Sequence, residues 1–118
     1  MHAVENAALS SVVKTVGECG VDMLRSPASA SLQELVLRRH IALSESVGKP
    51  LVLHIVKGQD IVMRLRKELR PCQPWIVHGF RGKPSQARQY LAAGMYLSFG
   101  VRFNVESLLA TPGNRLLL

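Results

Sequence analysis

Three residues able to bind a metal close three successive apolar stretches of this chain. Glu18 lies in Val16-Gly17-Glu18-Cys19-Gly20-Val21, His54 in Leu51-Val52-Leu53-His54-Ile55-Val56, and His78 follows Trp75-Ile76-Val77. A carboxylate with two imidazoles suits a divalent zinc, manganese or iron-like ion. Taken singly, each histidine also reads as a hydrogen-bonded structural residue at the end of an apolar run. Glu18 is harder to set aside, because a carboxylate inside such a run is expected to be desolvated and therefore paired or metal-bound. Gly17 and Gly20 flank Glu18, and Gly79 and Gly82 follow His78. Residues without a Cβ let backbone approach a site closely, although glycines also simply end strands.

The elements that must position these groups follow from the pattern. Apolar β-branched runs alternate with longer amphipathic stretches, which predicts repeated βα units, an α/β fold and a parallel sheet. A short helix is expected over Val4 to Ser11, then a strand over Lys14 to Glu18. A helix from Leu32 to Val47 follows, with Ser31 as its cap, Glu34 in the capping-box position and Gly48 as its stop. Leu51 to Val56 reads as a strand buried on both faces. Asp60 to Leu69 predicts a helix with Ile61, Val62 and Leu65 inward, broken by Pro71 and Pro74. The strand Trp75 to His78, a helix Pro84 to Ala93 with proline in its first turn, a strand Met95 to Phe99, a short helix Val105 to Ala110 and a strand from Arg115 to Leu118 complete the reading. Reactive groups in parallel α/β folds gather at the carboxyl ends of strands, where the loops converge.

Composition bounds the rest. A chain of 118 residues with 47% hydrophobic content supports one core at most. No apolar run approaches the roughly 20 residues of a membrane span, and the N-terminus, with Glu5 among alanines, lacks a signal-peptide pattern. The expectation is a soluble, cytoplasmic protein without membrane partners. Cys19 and Cys72 are too few for a disulfide framework and lie in no metal-knuckle spacing. The net charge of +7 and pI near 10.1 favour a polyanionic partner, yet the basic residues are dispersed through helix-like stretches, as solvated faces usually are. The last apolar run, Leu116 to Leu118, meets the end of the sequence, so an incomplete domain is expected.

Four segments resemble motifs of the TatD family of metal-dependent hydrolases, in family order across nearly all of the chain. Val16-Gly17-Glu18-Cys19-Gly20-Val21-Asp22 is similar to V-G-E-x-G-L-D, and Gly48-Lys49-Pro50-Leu51-Val52-Leu53-His54 to the K-P-L-x-x-H strand. His78-Gly79-Phe80-Arg81-Gly82 is similar to H-x-F-x-G, and Gly94 to Gly100 to G-x-Y-x-S-F. The resemblance implies a distorted TIM barrel of amidohydrolase type, of which residues 1–118 form a single incomplete domain covering about strands four to eight. It implies hydrolysis of phosphodiesters, DNA above all, by water activated on divalent metal ions (Mg, Mn or Zn).

In that reading Glu18 bridges two metals, His54 and His78 are ligands of one, and Asp22 orients the glutamate's loop. The family's first-strand H-x-H pair has no counterpart here, since His2 stands alone, and the Asp after the last strand is missing. At most one metal is therefore expected in this chain. Arg25, Arg81 and Lys83 follow strand ends and could meet phosphate oxygens, or be solvated loop charges. Open barrel edges imply self-association or a complementary fragment. Three other readings stay open: an inactive or split-gene fragment that binds at most one metal, a small basic nucleic-acid-binding module, and a flavodoxin-like domain. Aromatic content of 5% argues against the second, and the lack of a phosphate-cradling glycine loop against the third.

Overall fold

A computed structural model of the chain describes residues 15–24, 28–100 and 103–117. The expected helix over Val4 to Ser11 and the candidate Arg25 lie outside the described residues. The elements run β1 (Val16–Asp22), α1 (Ala30–Val47), β2 (Leu51–Val56), α2 (Gln59–Leu69), β3 (Trp75–Val77), α3 (Pro84–Ala92), β4 (Tyr96–Ser98), α4 (Val105–Leu109), a 3-10 turn (Gly113–Arg115) and β5 (Leu116–Leu117). All neighbouring strands are parallel and stand in sequence order, β1 to β5. Parallel neighbours in sequence order need a crossover at each step, and one-handed crossovers put the helices on one side of the sheet.

That side carries the core. Leu51 and Leu53 of β2, Trp75 and Val77 of β3 and Leu97 of β4 pack with Leu37 and Ile41 of α1, Val62 and Leu65 of α2, and Ala87 and Tyr90 of α3. The alternate residues face the other way and are less covered: Val52, Ile76 and Tyr96 are half-buried, while His54 and His78 are exposed. β2 is therefore not buried on both faces as expected. Its continuous apolar run arises because Val52 belongs to a second, partly open face.

The helix ends also differ in detail from the reading. α1 is capped by Ser29, whose backbone is extended (φ −65°, ψ 158°) and whose hydroxyl accepts from the Leu32 amide at 3.2 Å. Ser31 falls inside the first turn instead. Gly48 does stop the helix, in the left-handed conformation (φ 69°) that costs glycine least. Glu34 makes no capping box; its carboxylate bonds Arg38 at 3.1 Å and Arg64 of α2, while Arg38 reaches Glu68 at 2.6 Å. Among the described residues, no helix is long and apolar enough to cross a membrane.

The Arg64 and Arg38 guanidiniums hold the Glu34 carboxyl below the usual carboxylate range. A carboxyl with a lowered folded-state pKa adds stability above its unfolded value, here 4.5, and loses it as pH falls through the lower folded value. The Glu34→Gln variant should therefore show a flatter dependence of its urea midpoint on pH in the acid range. Parallel curves for the two proteins below pH 4.5 would rule the network out as an acid-sensitive tie.

Candidate metal centre

The sheet register sets Gly20 of β1 beside His54 of β2. The His78 amide donates to the Leu53 carbonyl at 2.8 Å, one step past the Leu53–Val77 pair, so the two histidines stand side by side on adjacent strands. β1 pairs Val16 with Leu51 and Cys19 with Leu53, so it takes three steps where β2 takes two. Such an extra residue is a bulge, which re-aims the side chains around it. Its result is that Cys19 turns to the covered side and Glu18 to the open one.

That outcome corrects the expectation of a desolvated carboxylate. The Glu18 side chain is 45% exposed, which leaves it well hydrated. The residue that burial affects is its neighbour: the Cys19 thiol donates to the Val52 carbonyl at 3.6 Å, and burial, helped by the Glu18 charge, pushes it up to about 12. Glu18 also lies within β1, and His54 within β2, while His78 is one residue past β3. Glu18 precedes the Cys19–Leu53 pair, so its backbone lies below the level shared by His54 and His78, and its side chain reaches across β2 to His78.

Two imidazole–carboxylate pairs result. His78 Nε2 lies 3.8 Å from Glu18 Oε2, and His54 Nε2 lies 3.6 Å from Asp22 Oδ2. Asp22, expected to orient the glutamate's loop, faces His54 and is the more covered carboxylate, at 19% exposed. Its other oxygen accepts from the Leu24 amide at 3.0 Å. Gln33 of α1, a buried polar residue, clamps this turn: its Oε1 accepts from the Asp22 amide at 2.7 Å, and its Nε2 donates to the carbonyls of Asp22 and Ala28. Gln33 escaped the sequence reading, although a glutamine at an inward position of an amphipathic helix is a signal that something polar lies beneath it.

Two clefts meet at His54. One, about 420 Å³, is lined by Glu18, Asp22 and Gln33 among others; the second, about 730 Å³, by Lys57, His78 and Arg81. Arg81 is thus brought to the site. Lys83 is not among the residues lining either cleft, and its amide is tied to Gln86 Oε1 at 2.9 Å at the start of α3. Lys57, which the sequence reading did not single out, enters the second cleft from a left-handed backbone position just past β2 (φ 56°). The loop after His78 is pinned from α4, where buried Ser107 donates its hydroxyl to the Gly82 carbonyl at 2.7 Å.

The donors fit a divalent cation by type: two imidazoles and two carboxylates. Among the described residues, however, no group of three or more His, Cys, Asp and Glu side chains converges on one point. The arrangement is two pairs rather than one cluster.

The differing burial of the cysteines gives a direct check on β1. Cys72 is exposed, whereas Cys19 is partly buried and its thiol is held protonated. Since the thiolate is the reactive form, iodoacetamide at mildly alkaline pH should label Cys72 in the native chain and reach Cys19 only on unfolding. Equal labelling rates by mass spectrometry would contradict the bulge geometry.

The family model for TatD related DNase matches residues 1–118. An uncharacterized metal-dependent hydrolase, YabD of Bacillus subtilis, is 33% identical over 89 residues, covering 75% of this chain and 35% of that protein. The 3'-5' ssDNA/RNA exonuclease TatD of Edwardsiella piscicida is 30% identical over 89 residues, covering 75% of this chain and 34% of its own. The crystal structure of YjjV, a TatD homologue from Escherichia coli K12, shares the fold with a TM-score of 0.84 at 21% identity, over 99% of this chain and 49% of that one. The chain spans about a third of the length of these two curated relatives and about half of the YjjV chain. Its five parallel strands and helices accordingly form part of a barrel.

Proposed function

We propose, from the premise that this chain belongs to the TatD related DNase family of metal-dependent hydrolases, that it carries part of the metal site of a phosphodiester-cleaving enzyme acting on nucleic acid. Glu18, His54 and His78 are the ligands in this reading, for one divalent ion (Mg, Mn or Zn), and residues 1–118 act as one incomplete barrel domain. The observation that carries it is the side-by-side placement of His54 and His78, each with a carboxylate within 4 Å. The nucleic-acid substrate is suggested by the exonuclease relative.

A bound divalent ion supplies Lewis-acid polarisation of a phosphoryl oxygen and makes water acidic enough to serve as nucleophile near neutral pH. The chain's own residues do the positioning. Asp22, fixed by Gln33 and by the Leu24 amide, holds the His54 ring in one orientation, as carboxylates commonly do for ligating histidines. Glu18, 3.8 Å from His78 Nε2, would share the ion with that ring. Arg81 and Lys57 present cations to phosphate oxygens in the larger cleft. Lys83 and Arg25 keep a weaker claim as phosphate contacts, the first because it lies off the clefts.

The separation of the donors into two pairs favours a second reading, in which the chain holds at most one ion and cleaves nothing without a partner that completes the barrel. The first reading requires metal uptake. Calorimetric titration of the chain with Mn²⁺ or Zn²⁺ should show a single site, weakened about tenfold or more in His54→Ala. Unchanged uptake by His54→Ala would sink the ligand assignment. A nuclease assay with the same metal separates the two readings.

A further inference from the structure

A groove of about 790 Å³ lies between α2 and α3. It is built from the last turns of both helices, which lead into the first residues of β3 and β4, so it sits at the opposite end of the strands from His54 and His78. Met63, Pro71 and Ala92 give it an apolar lining, and Arg66, Lys67 and Arg70 contribute three cations within five residues. Among the described residues neither Lys67 nor Arg70 has an ion-pair partner; Glu68, which lines a neighbouring cleft with them, is paired with Arg38.

Arg66 is the built part of the groove. Its Nε donates to the Ala93 carbonyl at 3.0 Å, and its guanidinium stacks 5.1 Å above the ring of Trp75. These two contacts fix the group in place, yet its Nη1 is buried with no hydrogen-bond partner among the described residues. Nη1 is closed off from the groove, so the donors a ligand there can reach are the groove-lining atoms of Arg66 together with Lys67 and Arg70. Burial also holds the Arg66 guanidinium below its usual range, with Arg115 acting in the same direction and Glu45 opposing. Three cations confined to about one and a half turns beside an apolar lining make a short, open groove rather than a track along a strand of nucleic acid.

We infer that this groove is a second anion site, separate from the metal centre, which takes a mononucleotide-sized phosphate ester: phosphate on Arg66, Lys67 and Arg70, and the base against Met63, Pro71 and Ala92. The inference does not depend on the function proposed above, and its test is kept independent of metal. Trp75, the single tryptophan of the chain, reports on Arg66 directly. The full chain, with a chelator present, is titrated with 5'-dAMP while Trp75 emission and heat are followed; adenosine and inorganic phosphate are titrated alongside.

The expected result is saturable dAMP binding, tighter than that of either fragment, and about tenfold or more weaker in Lys67→Ala/Arg70→Ala. Lys67→Glu should weaken it further, and His54→Ala should leave it unchanged. Absence of saturable binding, undiminished binding in the double variant, or loss in His54→Ala would overturn the site. Inorganic phosphate binding as tightly as dAMP would overturn the nucleotide assignment.

Discussion

Gly20→Ala is expected to lose on the order of 3 kcal/mol or more of stability. A Cβ at Gly20 would lie 1.9 Å from the His54 carbonyl oxygen and within 3.0 Å of two further backbone atoms of the same residue. Those atoms belong to the backbone of β2, so no side-chain rotation relieves the clash. The backbone at Gly20 (φ 148°) is also one that residues with a Cβ rarely adopt. Relief requires β1 and β2 to separate where they carry Glu18 and His54, so metal uptake should fall together with stability. Gly113→Ala is the matched control, because a Cβ there meets nothing within 4 Å and no left-handed backbone is involved. Urea unfolding of the two variants measures the difference. A Gly20→Ala midpoint close to that of Gly113→Ala would mean that β1 and β2 do not pair as described.

The same pair of strands shows where sequence reading succeeds and where it stops. The βα alternation was legible because the longer helices carry a 3.6-residue stripe, such as Leu37, Ile41 and Ser44 in α1, and β1 to β3 carry β-branched residues between them. His54 and His78 could be set side by side from the expectation that parallel strands align their carboxyl ends. The exposure of Glu18 was not legible, since it depends on one extra residue between Val16 and Cys19, and a bulge leaves no pattern in a run of only seven residues. Nor could the cap of α1 be assigned from residue type, because Ser29 and Ser31 are chemically identical and only backbone dihedrals separate them. The His54–Asp22 pairing and the Gln33 clamp are tertiary facts of the turn that follows β1. Local sequence holds no trace of them beyond the inward position of Gln33.

Open-face burial leads to the remaining large prediction. With the helices gathered on one side, the opposite face of the sheet presents Val52, Ile76 and Tyr96 only half-covered, flanked by exposed His54 and His78. A face of this kind, bordered by the unpaired edges of β1 and β5 in the described sheet, favours association with itself or with a complementary barrel segment. Closing off the part of each such side chain that remains exposed is worth roughly 0.5–1 kcal/mol. Val52→Thr/Ile76→Thr keeps β-branched residues in both strands while removing much of that gain from each subunit. It should weaken association by about tenfold or more, with little change to the helix-side core of Leu53, Trp75 and Leu97. Sedimentation velocity over a concentration series distinguishes the cases. A wild-type chain that stays monomeric at its highest soluble concentration would show that the open face is adequately solvated, whereas association undiminished in the double variant would move the contact to the strand edges, where backbone groups rather than side chains pair.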